Sequence, residues 1–487
     1  MSGGRDAAIL STNFSQLGGL LIGLESHFTH RFWDKANLQL TDETSFIDPT
    51  RAGTQFNQTA SYVQPRTATL TTEYVLEVVL SPSTLTSQPV PLPPAPGFVP
   101  WAPGNTPAAY VNNLGDQLLA QVSHRYGSTI LHEYDGEYQQ LYQRLTVNEV
   151  NEQYRNAMTL GGLPLSTTIT NEAQRRQALV KGITIFVPLN RLWCTQHVDE
   201  AWMPEAFSTQ GEIAIKFQRL ERLVYHAVAR GAPGAALPSP FLGGAPPTIL
   251  STRLFTRDVI LTVPEKTARL SAYESDRGVL THFLDREYQR QVITGAGGAG
   301  NREYVIKLDN IRMDMQELFF VVRRAHTPTI AVNEPAIDDD WSGDALQAPV
   351  YNFATEGNPV RVTSQLGILA TAPFVDTMFD DIVSFRLQAG NKRLYDDQTE
   401  LLGRTWVRRM YHPDSQPRDP IYFKSFSLIP EATKHVSGFQ NAANLGNLTL
   451  VITMPNFPAD QQKFVDVWCH SHNTNQSRRG DSVKSMH

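Results

Sequence analysis

Short apolar runs rich in β-branched and aromatic residues recur along most of the chain, and turn residues bound several of them. They predict strands over Glu73–Leu80, Gly182–Leu189, Glu212–Phe217, Asp258–Val263, Tyr304–Leu308, Glu317–Val322, Asp381–Leu387 and Asn447–Met454. Helical spacing is rare. Tyr138, Leu141, Leu145 and Val150 predict a helix within Asp135–Met158, and Asn171–Leu179 and Asp285–Val292 are shorter candidates. Many short strands with few helices point to sandwiches or barrels.

Two segments interrupt this pattern. Nine prolines fall between Pro82 and Pro107, and five prolines with four glycines fall between Gly231 and Pro247. Proline lacks an amide donor and glycine costs backbone entropy, so neither segment can be a central strand or a helix. Composition leaves two readings open: a pair of linkers, or two long surface loops inserted in one domain.

The halves also echo each other. Val122-Ser123-His124-Arg125 with Gly127 parallels Val383-Ser384-Phe385-Arg386 with Gly390. In the same order, Gly211 with Ile213–Phe217 parallels Gly446 with Leu448–Ile452. Two collinear echoes suggest a duplicated β domain, with Val122 overlaying Val383 and Ile213 overlaying Leu448.

Length and composition narrow the class. A chain of 487 residues suggests two or three domains. With 41% hydrophobic residues it is globular in composition, which argues against global disorder. A net charge of −6 excludes a generally basic nucleic-acid coat. Cys194 and Cys469 are the only cysteines, too few for a disulfide framework, and a reducing compartment fits. The opening MSGGRDAAIL lacks the pattern of a secretory signal, and no run approaches the ~18–20 apolar residues of a membrane span.

Candidate chemistry is sparse. His470-x-His472 beside Cys469 has the spacing of two ligands on one strand face, but no third or fourth ligand lies at a usual distance, so a solvated strand face is expected. His27 and His30 lack a nearby carboxylate partner, and Asp338-Asp339-Asp340 reads as a polar loop rather than a cation site. Gly295–Gly300 lacks the Lys-Ser/Thr of a phosphate loop and reads as a flexible junction. Arg479-Gly480-Asp481 and the sequons at Asn13, Asn57, Asn447 and Asn475 carry little information alone. No nucleophile elbow occurs, and Cys194 reads as a small packed residue. No residue is therefore assigned a catalytic, cofactor-binding or metal-binding role, no cofactor is expected, and the chain is not expected to be an enzyme.

Four collinear blocks resemble a known family. The first is Tyr110–Gly115, Leu118-Leu119, Val122, Tyr126-Gly127, Ile130 and Tyr134–Glu137. The second is Val187-Pro188-Leu189 with Trp193-Cys194, then Gly211–Ile215; the third is Phe379–Tyr395. The fourth, Tyr422–Met454, contains Ser425–Leu428, Pro430-Glu431, Ser437-Gly438, Asn441 and Asn447-Leu448. Together they resemble the double jelly-roll major capsid proteins of nucleocytoplasmic large DNA viruses. Residues 1–60 do not show the family's opening strand pattern, and Met313–Val322 only echoes its "HPVKELIWVVQ". The chain is therefore similar to a divergent member.

The resemblance implies an all-β fold of two tandem eight-stranded antiparallel jelly rolls with long loops and few short helices. It implies an N-terminal arm at 1–25, a first jelly roll at 26–288 with loop insertions near 82–108 and 228–255, a second at 289–475, and a tail at 476–487. It places the last strand of the first jelly roll at Ala268–Ser275 and the junction near Gln289–Asn301. The implied function is a major capsid protein of the virion that forms pseudo-hexagonal homotrimers tiling an icosahedral shell around a DNA genome, assembled in the host cell, with the cytoplasm the expected compartment. Implied partners are neighbouring capsomers and minor capsid, cement and penton proteins, with an internal membrane possible beneath the shell and no sequence-specific nucleic acid. The alternative is a jelly-roll carbohydrate-binding or glycan-cleaving protein, in which an aromatic such as Trp101 would stack on sugar; a metal-dependent cupin would need several His and a Glu inside one barrel.

Overall fold

The computed structural model describes residues 41–324 and 382–485, apart from 51–53, 67–69, 85–107, 111–112, 128, 147–153, 156, 160–176, 190–202, 227–244, 262, 276–278, 391, 414–420, 429, 431–436, 458, 460–461 and 479–480. Alternation of buried and exposed positions makes strands of the first half. They are β1 (Thr41–Ile47), β2 (Thr59–Val63), β3 (Leu70–Leu80), β4 (Ala108–Tyr110), β5 (Leu119–Tyr126), β6 (Thr129–Tyr134), β7 (Ile183–Pro188), β8 (Gly211–Phe217), β9 (Val224–His226) and β10 (Ile249–Ile260). One sheet has the order β1-β10-β3-β7 and the other β2-β8-β5-β6, and every pairing is antiparallel. Tyr74, Leu76, Val78, Leu254 and Val187 of the first face Tyr62, Val122, Ile213 and Ile215 of the second in one apolar core.

The second half repeats this plan. Its strands are β11 (Val279–Thr294), β12 (Asn301–Lys307), β13 (Asp314–Arg324), β14 (Ser384–Ala389), β15 (Lys392–Thr399), β16 (Tyr422–Ser425), β17 (Gln440–Asn441), β18 (Leu448–Pro455), β19 (Gln462–Arg478) and β20 (Asp481–Ser485). The sheet orders β11-β19-β13-β16 and β12-β18-β14-β15 reproduce those of the first half strand for strand, with β17 and β20 as additions at the margin. Eight strands wound in this order twice make a double jelly roll. Leu318, Phe320 and Val467 pack against Ile306, Phe385 and Leu450 to form its core.

The echo between the halves is structural, but its register moves by two residues. Gly127 and Gly390 occupy the turns after β5 and β14 at φ of 57° and 56°, where a left-handed backbone favours glycine. Counting back from these glycines aligns Val122 with Phe385, both buried, whereas Val383 lies outside β14 and is exposed. Tyr126 pairs with Gly211 and Ala389 with Leu448, so Ile213 aligns with Leu450 rather than Leu448. A shift of two keeps every side chain on its face, which is why the motif match survived the misregister.

Three further expectations change. The last strand of the first sandwich is β10, while Ala268–Ser275 lies mostly in the helix Val263–Glu274, where Leu270 and Tyr273 join the apolar cluster around Phe207. Asp258–Val263 is strand only to Ile260. Asp285–Val292, a helix candidate, is strand, because β11 pairs along its whole length with β19. The helix expected within Asp135–Met158 forms over Gly136–Thr146, and part of Asn171–Leu179 is helical from residue 177. Residues 476–478 continue β19, and 481–485 fold back on it as β20. No helix among the described residues is long and apolar enough to cross a membrane.

Candidate functional site: the seam between the sandwiches

The helix Gly136–Thr146 connects β6 to β7 but packs on the second sandwich. Its start is fixed locally, since Asp135 Oδ1 accepts the Tyr138 amide at 2.7 Å as an N-terminal cap. Tyr138, Leu141 and Leu145 then join Phe319, Val321, Phe423 and Trp468 of the second half in the same apolar cluster that fills the first sandwich. The sheet β11-β19-β13-β16 is therefore covered on both faces. That explains the continuous apolar run Leu318–Val322: Leu318, Phe320 and Val322 face inward, while Phe319 and Val321 face the seam.

A buried polar cluster lies in this seam. Glu317 on β13 is fully buried, with Oε1 bonded to His470 Nδ1 on β19 and Oε2 lying 3.1 Å from His412 Nε2. The Tyr138 hydroxyl meets His470 Nε2 at 2.6 Å, which ties the first sandwich to the second. Burial pushes the Glu317 pKa up, but the charges and hydrogen bonds of His470 and His412 outweigh it and bring the carboxyl down to about 2. Burial raises the Tyr138 phenol, and nearby Arg286 only partly opposes this, so Tyr138 stays a neutral hydrogen-bonding group. With Nδ1–H donated to Glu317, His470 accepts from the Tyr138 hydroxyl when neutral and donates to it when charged.

A second set of charges flanks the first. Asp466 on β19 accepts Tyr288 Oη at 2.6 Å and Arg290 Nε at 2.7 Å, and Arg290 also lies 3.8 Å from Glu137 on the helix. Arg286 sits 4.7 Å over the Tyr138 ring and 3.7 Å from Asp135. The seam thus combines an apolar cluster with a buried Glu317–His470–His412 group and with further charge pairs made by Arg286 and Arg290.

The structure separates the cysteine and histidine that the sequence set side by side. Cys469 points into the second core, where burial pushes its thiol pKa well up, whereas His470 points into the seam. The backbone of His472 pairs with Leu284. Among the described residues no group of three or more His, Cys, Asp or Glu is arranged to hold a metal. Gly295–Gly300 lies between β11 and β12, with Gly297, Gly298 and Gly300 at positive φ. Asn57 and Asn447 occupy turns at positive φ, and Asn475 is in β19. His27, His30, Asn13, Trp101, Cys194, Asp338–Asp340 and Arg479-Gly480 lie outside the described residues. Nothing in the sequence marks Glu317, His412 and Tyr138 as one site. They lie 153, 58 and 332 positions from His470, so only the fold brings them together.

Comparison with known proteins places this architecture. No family model and no curated protein matches the chain. Solved structures do. The Faustovirus major capsid protein matches with a TM-score of 0.65 at 12% identity, over 90% of each chain. The PBCV-1 VP54 structure, fitted into a reconstruction of the virophage Sputnik, matches with a TM-score of 0.60 at 15% identity, over 92% of this chain and 97% of that one. A Sputnik virophage structure matches at 0.51 and 8% identity, over 92% and 88%. Strand order in both halves and this end-to-end likeness agree: the chain has the double jelly-roll fold of these viral capsid structures.

Proposed function

We propose that this chain is a viral major capsid protein that assembles as a homotrimer, its three pairs of sandwiches forming a pseudo-hexagonal tile of an icosahedral shell around a DNA genome. The observation that supports this most is the exact repetition of the two sheet orders, joined by a buried seam, in a chain that matches capsid proteins over about 90% of both lengths. Two similar bodies per chain give six around a three-fold axis, and hexagonal outlines close-pack on a facet. In this reading the chain is a virion component with no catalytic role. Its other partners are minor capsid, cement and penton proteins, and its assembly takes place in the host cell. In this reading the Pro-rich loops of the first half face outward or clasp neighbouring capsomers.

Size-exclusion chromatography with light scattering tests it. The purified chain should run at about three times 54.4 kDa and hold that mass on dilution through the micromolar range, as interfaces above ~2,000 Å² do. A species that stays at the mass of one chain rejects the proposal.

A further inference from the structure

One end of the second sandwich carries two bare apolar side chains that nothing in the capsid reading uses. Three connections meet there: 308–313 between β12 and β13, the Gly390 turn between β14 and β15, and 426–447, which runs from β16 through β17 into β18. Backbone bonds hold them together. Gly390 N donates to Asn447 O at 3.2 Å, Ala442 N to Met313 O at 3.1 Å, and Phe426 N to Gln316 O at 2.8 Å. The longest connection is pinched at its neck. Ser427 Oγ and Ser437 Oγ lie 2.5 Å apart, and Gly438, at a φ of 145°, sits so close that a Cβ would stand 2.8 Å from Phe426 O. Phe426 and Leu445 pack on the core behind it.

Beside the neck, Leu428 on one limb and Phe439 on the other are 77% and 55% exposed. Side chains this exposed project rather than line a groove, so they do not form the pocket that a peptide would fill. A fluid apolar layer takes such tips without a matching shape. The charge around them has a sign. Lys307, Arg312, Lys392 and Arg393 are exposed at this end. Among the described residues they stand against exposed Asp309 and against Asp397, which Arg386 and Arg393 meet at 3.3 and 3.5 Å. The other acids here are engaged: Asp314 accepts Asn441 Nδ2 at 2.6 Å, and Glu287 accepts the amides of Arg312 and Met313. Bare apolar tips among surplus cations suit an anionic bilayer, with the tips below the headgroups and the cations level with them.

We propose that this end of the second sandwich docks on an anionic lipid bilayer, with Leu428 and Phe439 inserted and Lys307, Arg312, Lys392 and Arg393 at the phosphates. The proposal rests on the capsid reading for its setting, a shell over an internal membrane, and names the surface that touches it. A homotrimer carries the pair three times at one level about its axis. Three weak insertions on one rigid body bind far more tightly than one.

Flotation of the full chain with vesicles tests it. Wild type should float with vesicles of phosphatidylserine mixed into phosphatidylcholine, roughly 10-fold less with phosphatidylcholine alone, and less as salt rises from about 0.05 to about 0.5 M. Leu428→Asp with Phe439→Asp should keep the wild-type circular dichroism and bind the mixed vesicles roughly 10-fold or more weakly. Leu250→Asp, at a leucine of the first sandwich that is 61% exposed, should bind as wild type does. Arg312→Glu with Lys392→Glu should bring binding down to the level seen with phosphatidylcholine alone. If the aspartate pair misfolds, the charge variant decides alone. A trimeric wild type that floats with neither vesicle, a loop variant that binds undiminished, or a Leu250 variant that loses as much overturns the lipid contact and leaves the capsid reading standing. A monomeric wild type overturns the capsid reading whether or not it floats, and flotation alone then decides the contact.

Discussion

Replacing Glu317 by Gln removes one negative charge from the seam and almost no volume. The carboxyl is fully buried, and its pKa falls from an ordinary 4.5 to about 2. At about 1.4 kcal/mol per pH unit, that fall corresponds to roughly 3 kcal/mol of stability. Because the folded pKa is the lower one, this stability is fully present above about pH 4.5 and is lost as pH drops from there through about 2. Structure gives a similar size. Gln presents one acceptor and one donor where the carboxylate presents two acceptors, so the N–H of one of His412 and His470 loses its partner. Breaking a buried ionic pair from one side costs about 3–5 kcal/mol. Urea unfolding followed by the fluorescence of Trp468, buried in the same seam, should place Glu317→Gln about 3 kcal/mol below wild type at pH 7 and close to it near pH 2.5. Other carboxylates titrate equally in both proteins and cancel in the difference. A deficit below about 1 kcal/mol at pH 7, or one unchanged at pH 2.5, would refute a carboxylate held ionised by its two imidazoles.

Three other outcomes follow from the same packing. Gly403→Ala drives a methyl into the Phe385 ring and should lower stability by about 1–3 kcal/mol in a thermal melt, as overpacking does. Cys469 is fully buried with its thiol pKa raised, so Ellman's reagent should modify it at least ~10³-fold more slowly in the native protein than in urea. Deleting Gln88–Asn105, the centre of the Pro-rich segment, should leave soluble, protease-resistant sandwiches and weaken trimer or shell assembly; loss of soluble protein would place that segment in the core.

The fold was legible where a strand's own residues decide its fate. Runs such as Glu73–Leu80 and Asn447–Met454 alternate or are continuously apolar, and both are strands. Legibility failed where a neighbour decides. Asp285–Val292 carries charges and Tyr288 at helix-like spacing because its polar side chains serve the seam, bonding Asp466 and Asp135, and β19 holds it as strand. Motif order predicts a strand over Ala268–Ser275, but Ala268, Leu270 and Ala272 favour a helix, and a helix is what forms. The buried cluster shows the same limit. His470 stands beside His472 in a recognisable His-x-His spacing, while its partners Glu317 and Tyr138 are supplied by a distant strand and helix.

The shared seam also sets an order of events during synthesis. The helix Gly136–Thr146 leaves the ribosome more than 300 residues before β19 is complete, yet its cover includes Trp468 and His470. At roughly 5–20 residues per second, Tyr138, Leu141 and Leu145 wait on the order of 15–60 s for those partners. During that interval the nascent first sandwich presents an unfinished apolar face, open to premature pairing with other nascent chains. Completing β19 closes that face with Trp468 and His470.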